Sequence, residues 1–154
     1  MSSSDNKKAS IYDIYFNEQE KYSKIYGEKT IVFIQIGKFY EAYCNKTKGY
    51  INLAELEPLL NIKYIRRDGK NDDNNKPNQF GINCVAISKN LATLTENGYT
   101  VVLFDQKTTN GEDIERECVG VFSPGTYYRL DKCKMLIIYY QYIFRKKNNY
   151  QVKI

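Results

Sequence analysis

The 154-residue chain is 42% hydrophobic and 14% aromatic, which suits a single globular core and excludes an intrinsically disordered protein. It has no histidine, and its four cysteines (Cys44, Cys84, Cys118, Cys133) form no CxxC pair, which excludes the usual zinc ligand sets and every Ser-His or Cys-His nucleophile. The net charge of +5 is concentrated at one end: residues 127–154 carry seven basic side chains against Asp131 alone, or +6, leaving residues 1–126 at −1. The basic total therefore says little about the folded body and more about a tail able to touch phosphates or an acidic partner.

Residues 1–10 are polar, lack an apolar signal core and are expected to form a flexible leader. From Ile11 to about Tyr26, Ile11, Ile14, Tyr15, Tyr22, Ile25 and Tyr26 recur mostly at helical spacing. Ser10 supplies an N-cap, Asp13 its capping-box partner and Gly27 a stop, so an amphipathic helix is predicted. Thr30–Ile36 (TIVFIQI) is the most β-like run and suits a strand buried on both faces. Gly37-Lys38 breaks it, and the alternating Phe39–Tyr43 reads as a short returning strand or edge segment. Asn52–Leu60 predicts a short helix with Leu53, Leu56 and Leu60 on one side and an interruption at Pro58. Ile62–Ile65 reads as a strand, 66–78 as an exposed Asn/Asp-rich loop, and Phe80–Ile87 as another strand. Ser88 then caps a helix that runs to Asn97-Gly98. Tyr99–Phe104 is a second β-branched strand, Thr108–Asp113 a turn, and Glu117–Phe122 a last strand closed by Ser123-Pro124-Gly125. Helices and strands interleaved in this way predict an α/β fold with a mixed β-sheet flanked by helices. The cysteines are expected as buried free thiols. No apolar run approaches the roughly 20 residues needed to cross a bilayer, so no membrane association is expected, and a cytosolic or nuclear-type compartment is the default.

No GxxxxGK[ST] phosphate loop and no GxGxxG turn occurs in the chain. The acids Asp72-Asp73 and Glu112, Asp113, Glu115 and Glu117 invite comparison with a two-metal nuclease. They fall in or beside a loop and a turn, where solvated charge is expected and rigid ligand placement is not.

Gly37-Lys38-Phe39-Tyr40-Glu41 is different. Taken singly, Phe39 reads as a core aromatic and Glu41 as a surface acid. Residues i and i+2 of a strand share a side, however, so these two project together just after a turn. An apolar wedge of this kind is what minor-groove binders push between base steps. Unstacking costs least at a mispaired base, so such a wedge discriminates by deformability. An acid normally opposes binding near phosphates, and beside the wedge it could hydrogen-bond the displaced base edge.

At these residues the chain resembles the N-terminal mismatch-recognition domain of the MutS family. Ile31–Tyr43 (IVFIQIGKFYEAY) is similar to that family's first strand with its Phe-x-Glu motif. Leu59–Asp68 (LLNIKYIRRD) resembles the segment ending in a basic pair. Leu91–Gln106 (LATLTENGYTVVLFDQ) is similar to the helix, Gly-Tyr turn and strand ending in an acid-Gln pair. Glu115–Thr126 (ERECVGVFSPGT) is similar to the closing strand with its Pro-Gly-Thr terminus. The blocks keep the family order and cover roughly residues 11–126.

The resemblance implies that Phe39 stacks into a mispair, that Glu41 bonds a mispaired base, and that Lys38, Arg66 and Arg67 lie near the DNA backbone. It implies mismatched double-stranded DNA as ligand and other MutS-type subunits as partners. The chain departs from the pattern at Gly81–Ile87, which lacks the family's His and Pro, and in its loop at 70–78. In the family the Pro-Gly-Thr motif leads into connector, lever, clamp and ATPase domains. Here twenty-eight residues follow, including the apolar Met135–Phe144. The expected organisation is a leader (1–10), a MutS-like domain (11–126) and a basic, Tyr-rich tail (127–154). No enzyme activity and no cofactor are expected of it, ATP belonging to domains of full-length members. The alternative is a non-catalytic protein-interaction module, or a truncated remnant of a MutS homologue without DNA binding.

Overall fold

Ser10 starts the first helix through a reciprocal cap: its hydroxyl accepts the Asp13 N–H at 3.2 Å while the Asp13 carboxylate accepts the Ser10 N–H at 3.2 Å. The helix, α1 (Ile11–Tyr26), ends at Gly27, whose φ of 98° suits a residue without a side chain. The computed structural model describes residues 9–67, 76–107 and 114–126. Most of the expected leader and of the Asn/Asp-rich loop, the turn at 108–113 and the tail lie outside the described residues, as do Cys133, Asp72, Asp73, Glu112 and Asp113.

The β-branched run Thr30–Ile36 forms the central strand, β1, of a five-stranded mixed sheet. It returns through Gly37-Lys38 into β2 (Phe39–Cys44), and β3 (Asn78–Asn83) pairs antiparallel outside β2. On the other side β4 (Thr100–Lys107) runs parallel to β1, and β5 (Glu115–Phe122) closes the sheet antiparallel to β4. The order is β3-β2-β1-β4-β5, the expected α/β mixed sheet. β2 is therefore an interior strand, which removes the edge reading.

Register assigns the faces. Ile34 stands opposite Glu41 and beside Phe104, so Val32, Ile34, Glu41, Tyr43 and Phe104 share one side. Helix α1 lies on it: Tyr12 and Tyr15 meet the Tyr43 ring edge-on at 5.0 and 5.1 Å, and Tyr22 meets Phe104 at 5.9 Å. The opposite set, including Ile31, Phe33, Ala42, Phe80 and Leu103, is also buried, so both faces are covered.

The β1–β2 ladder runs only from Ile36↔Phe39 to Ile34↔Glu41. Beyond it Gln19 of α1 takes the place of a strand. Its side-chain oxygen accepts the Val32 N–H at 2.8 Å and its amide nitrogen donates to the Thr30 carbonyl at 2.7 Å. The Tyr15 hydroxyl donates to Gln19 at 3.3 Å. A buried polar side chain thus satisfies backbone groups that the diverging strand abandons.

Several boundaries differ from the sequence reading. Ile62–Ile65 forms no strand; Ile65 makes a single bridge to Gln79. The β3 strand stops at Asn83, because the Asn83 side chain accepts the Val85 N–H at 3.1 Å and turns the chain into a 3-10 turn at Cys84–Ala86. That turn runs straight into α3 (Ile87–Glu96), so Ser88 lies inside the helix and is not its cap. Pro58 does not interrupt its segment. A 3-10 turn, Leu53–Glu55, leads into the short helix α2 (Leu56–Leu60), whose first turn holds the proline where a missing N–H costs nothing. Cys44 is buried, while Cys84 and Cys118 are half-buried; all three are free thiols.

Candidate nucleic-acid interface

Gly37 takes φ +58° and Lys38 does not leave the negative range, the pattern of a two-residue hairpin with glycine at its first central position. The turn delivers Phe39 as the first residue of β2, 45% exposed. Leaving nearly half of a phenylalanine in water forgoes about 1 kcal/mol of burial free energy. Glu41 follows on the same side and is half-buried. Between them across the ladder stands Gly81, opposite Glu41. A Cβ on Gly81 would lie 3.9 Å from both the Phe39 ring and the Glu41 Cγ, so ring and acid flank one open position on the sheet. The Glu41 carboxylate accepts the Tyr43 hydroxyl proton. Burial, and then the adjacent Glu41 charge, push the Tyr43 hydroxyl well above the ordinary tyrosine range.

The hairpin tip is tied on both sides. The Gly37 N–H donates to the Gln106 side chain at 3.3 Å, and the Gly37 carbonyl accepts from the Gln35 side chain at 3.1 Å. Gln35 also accepts the Gln106 main-chain N–H at 3.0 Å, locking the two glutamines together. The Cys84 N–H donates to the Lys38 carbonyl at 2.9 Å from the other flank. One residue into β2, the Tyr40 hydroxyl donates to Asp105 at 2.5 Å, and Arg116 Nε donates to the Gln35 carbonyl at 3.1 Å. Burial depresses the Arg116 guanidinium below its usual value. Burial first, and then Asp105, raise the Tyr40 hydroxyl.

Lys38 is exposed at the tip itself. Arg66 and Arg67 are not beside it. They follow Ile65, which bridges to Gln79, the partner of Tyr43, whereas Phe39 pairs with Asn83. Four residues of β3, about 13 Å at the usual strand rise, separate the two places. Arg67 donates to the Gln79 side chain at 2.7 Å, and Arg66 lies over the Tyr64 ring at 5.9 Å. Among the described residues, no three His, Cys, Asp or Glu side chains gather where a metal would sit. Glu117 pairs with Lys107.

Residues 16–131 match the family described as MutS domain I. The chain belongs to that family. It is 73% identical over 128 residues to a putative DNA mismatch repair protein mutS homolog of Acanthamoeba polyphaga mimivirus, an alignment covering 81% of this chain and 11% of that protein. It is 32% identical over 148 residues to the mitochondrial DNA mismatch repair protein mutS homolog of Sarcophyton glaucum, covering 79% and 14% respectively. DNA mismatch repair protein MutS 1 of Halobacterium salinarum is 27% identical over 96 residues, covering 62% and 10%. The chain thus spans little more than a tenth of the length of these relatives.

In this MutS domain I the Phe-x-Glu block is the β1–β2 hairpin, and the acid-Gln pair is the end of β4 that grips it. Phe39, Glu41 and Lys38, singled out from the sequence, lie together at this hairpin; Gln35, Arg116 and Tyr43 around it were not singled out, and Asp105 and Gln106 were noted only as the acid-Gln pair. One signal for them was present, since Gln35 is the polar break in an apolar strand. The divergent Gly81–Ile87 segment also reaches the tip: Asn83 pairs with Phe39, and Val85, two residues on, is 93% exposed.

Proposed function

We propose that this MutS domain I binds mismatched or distorted duplex DNA, as part of DNA mismatch repair, by inserting Phe39 into a weakened base step with Glu41 at the displaced base. The observation that carries this reading is a half-exposed aromatic ring on a fully tied hairpin tip, sharing an open sheet position with a carboxylate. A wedge must not yield when pushed against a base stack, and unstacking costs a few kcal/mol per step. A ring on a loose loop would fold back instead. At a mispair that cost falls, and the difference becomes selectivity.

Lys38, Arg66 and Arg67 are proposed backbone contacts. Lys38 serves the wedged step, and the arginines, about 13 Å away along β3, serve phosphates several steps along. Three such contacts offset little of the entropy lost on association, so weak intrinsic affinity is expected unless other MutS-type subunits or the basic tail add to it. The names of the relatives, all mismatch repair proteins, support the same reading.

A protein-interaction module without DNA binding is the second reading. Val85, 93% exposed two residues after Asn83, the strand partner of Phe39, favours it, because exposed apolar side chains also suit a protein partner. Anisotropy titration of the chain against labelled mismatched and paired duplexes at low salt separates the two readings. Tighter binding of the mismatched duplex, lost in Phe39→Ala, is expected. Equal affinities unaffected by that substitution would favour the second reading.

A further inference from the structure

We infer that Tyr43 is a positioning residue for mismatch recognition: its hydroxyl fixes the Glu41 carboxyl beside Phe39 and leaves one carboxyl oxygen for a base edge. The inference rests on the wedge reading and goes beyond it by naming what sets the acid. Glu41 and Tyr43 are two residues apart on one side of β2, and the hydroxyl donates to Glu41 Oε2.

The donor cannot wander. The Tyr43 ring is 2% exposed and held edge-on by Tyr12 at 5.0 Å and Tyr15 at 5.1 Å. Helix α1 therefore sets the ring, the ring sets the hydroxyl, and the hydroxyl sets the acid. A glutamate with several rotatable bonds would otherwise lose its freedom only on meeting DNA, at a cost to binding. Here that freedom is given up on folding. Gly81, with no side chain opposite Glu41, keeps the space in front of the acid open.

A phenylalanine at position 43 would keep the packing and remove only the hydroxyl, so Tyr43→Phe isolates the role. The test is anisotropy titration of the full chain and its Tyr43→Phe, Glu41→Ala, Phe39→Ala and double Glu41→Ala/Tyr43→Phe variants, with G·T-mispaired and fully paired duplexes, alongside thermal melting. Tyr43→Phe should lower the ratio of mispaired to paired affinity about fivefold, the scale of one well-placed hydrogen bond, and leave paired-duplex binding unchanged. In the Glu41→Ala background it should lower the ratio no further. Glu41→Gln, whose carbonyl still accepts the hydroxyl, should remain sensitive to Tyr43→Phe. A Tyr43→Phe variant that melts lower but keeps the wild-type ratio, while Glu41→Ala loses it, would overturn the positioning role and spare the wedge. Loss of the ratio in neither Phe39→Ala nor Glu41→Ala would overturn the wedge, and Tyr43's role with it.

Discussion

The two ends of the β1–β2 pair are built by opposite means. At one end the strands part and α1 fills the gap with Tyr15 and Gln19, both almost fully buried. At the other the strands meet in a two-residue turn, and the Gln106 side chain of β4, the Gln35 side chain of β1 and the Cys84 main-chain N–H after β3 grip the peptide groups while a phenyl ring stays half in water. The first end consists of buried groups whose loss is felt by the whole fold. The second spends side chains on holding a tip still. On the proposed function, stability and recognition fall to different ends of one hairpin, and substitutions should separate them.

The largest effect belongs to the sealed end. Gln19→Leu leaves the Val32 N–H and the Thr30 carbonyl buried without partners and should cost about 3 kcal/mol, read as a lower midpoint in chemical denaturation. Mismatch preference of the folded fraction should not change. Alkaline pH attacks the same end. Burial raises the Tyr15 hydroxyl well above its ordinary value. A hydroxyl whose folded pKa exceeds its unfolded one contributes stability that is fully present below about pH 10 and lost as pH rises. Each pH unit above that should cost about 1.4 kcal/mol per such tyrosine, visible as a steep fall in melting midpoint that Tyr15→Phe reduces.

Effects at the gripped end should appear in binding. Phe39→Ala should cost only about 1 kcal/mol of stability, since nearly half of the ring is in water, while abolishing preference for mispaired DNA in a competition assay. Gln106→Ala should act more gently. Losing the acceptor for the Gly37 N–H should speed hydrogen exchange at that amide and lower mismatch preference about threefold, with melting nearly unchanged. A Gln106 variant that destabilises as strongly as Gln19→Leu would dissolve the division between the ends.

What the sequence made legible follows the same division between local and distant causes. The bounds of α1 were readable because Ser10, Asp13 and Gly27 act within a few residues of the ends they define. The pairing of Phe39 with Glu41 was readable because a strand's period of two needs no partner. The end of β3 was not, because Val and Ile at 85 and 87 have strand composition while a single Asn83 side chain turns the backbone first. Ile62–Ile65 likewise has the composition of a strand, but only Ile65 meets a partner. The grip on the tip was out of reach for a stronger reason. Gln35 and Gln106 are 71 residues apart, and only the parallel register of β1 and β4 makes them neighbours.

The central claim is that the Phe39 ring enters a base step that mispairing has already weakened. Fluorescence of 2-aminopurine placed beside a G·T mispair reports this directly, because the probe brightens when it unstacks. Adding the wild-type chain should brighten the mispaired duplex and leave the paired one unchanged, and Phe39→Ala should bind without brightening. Equal brightening by wild type and Phe39→Ala, or none with either at saturation, would contradict the claim.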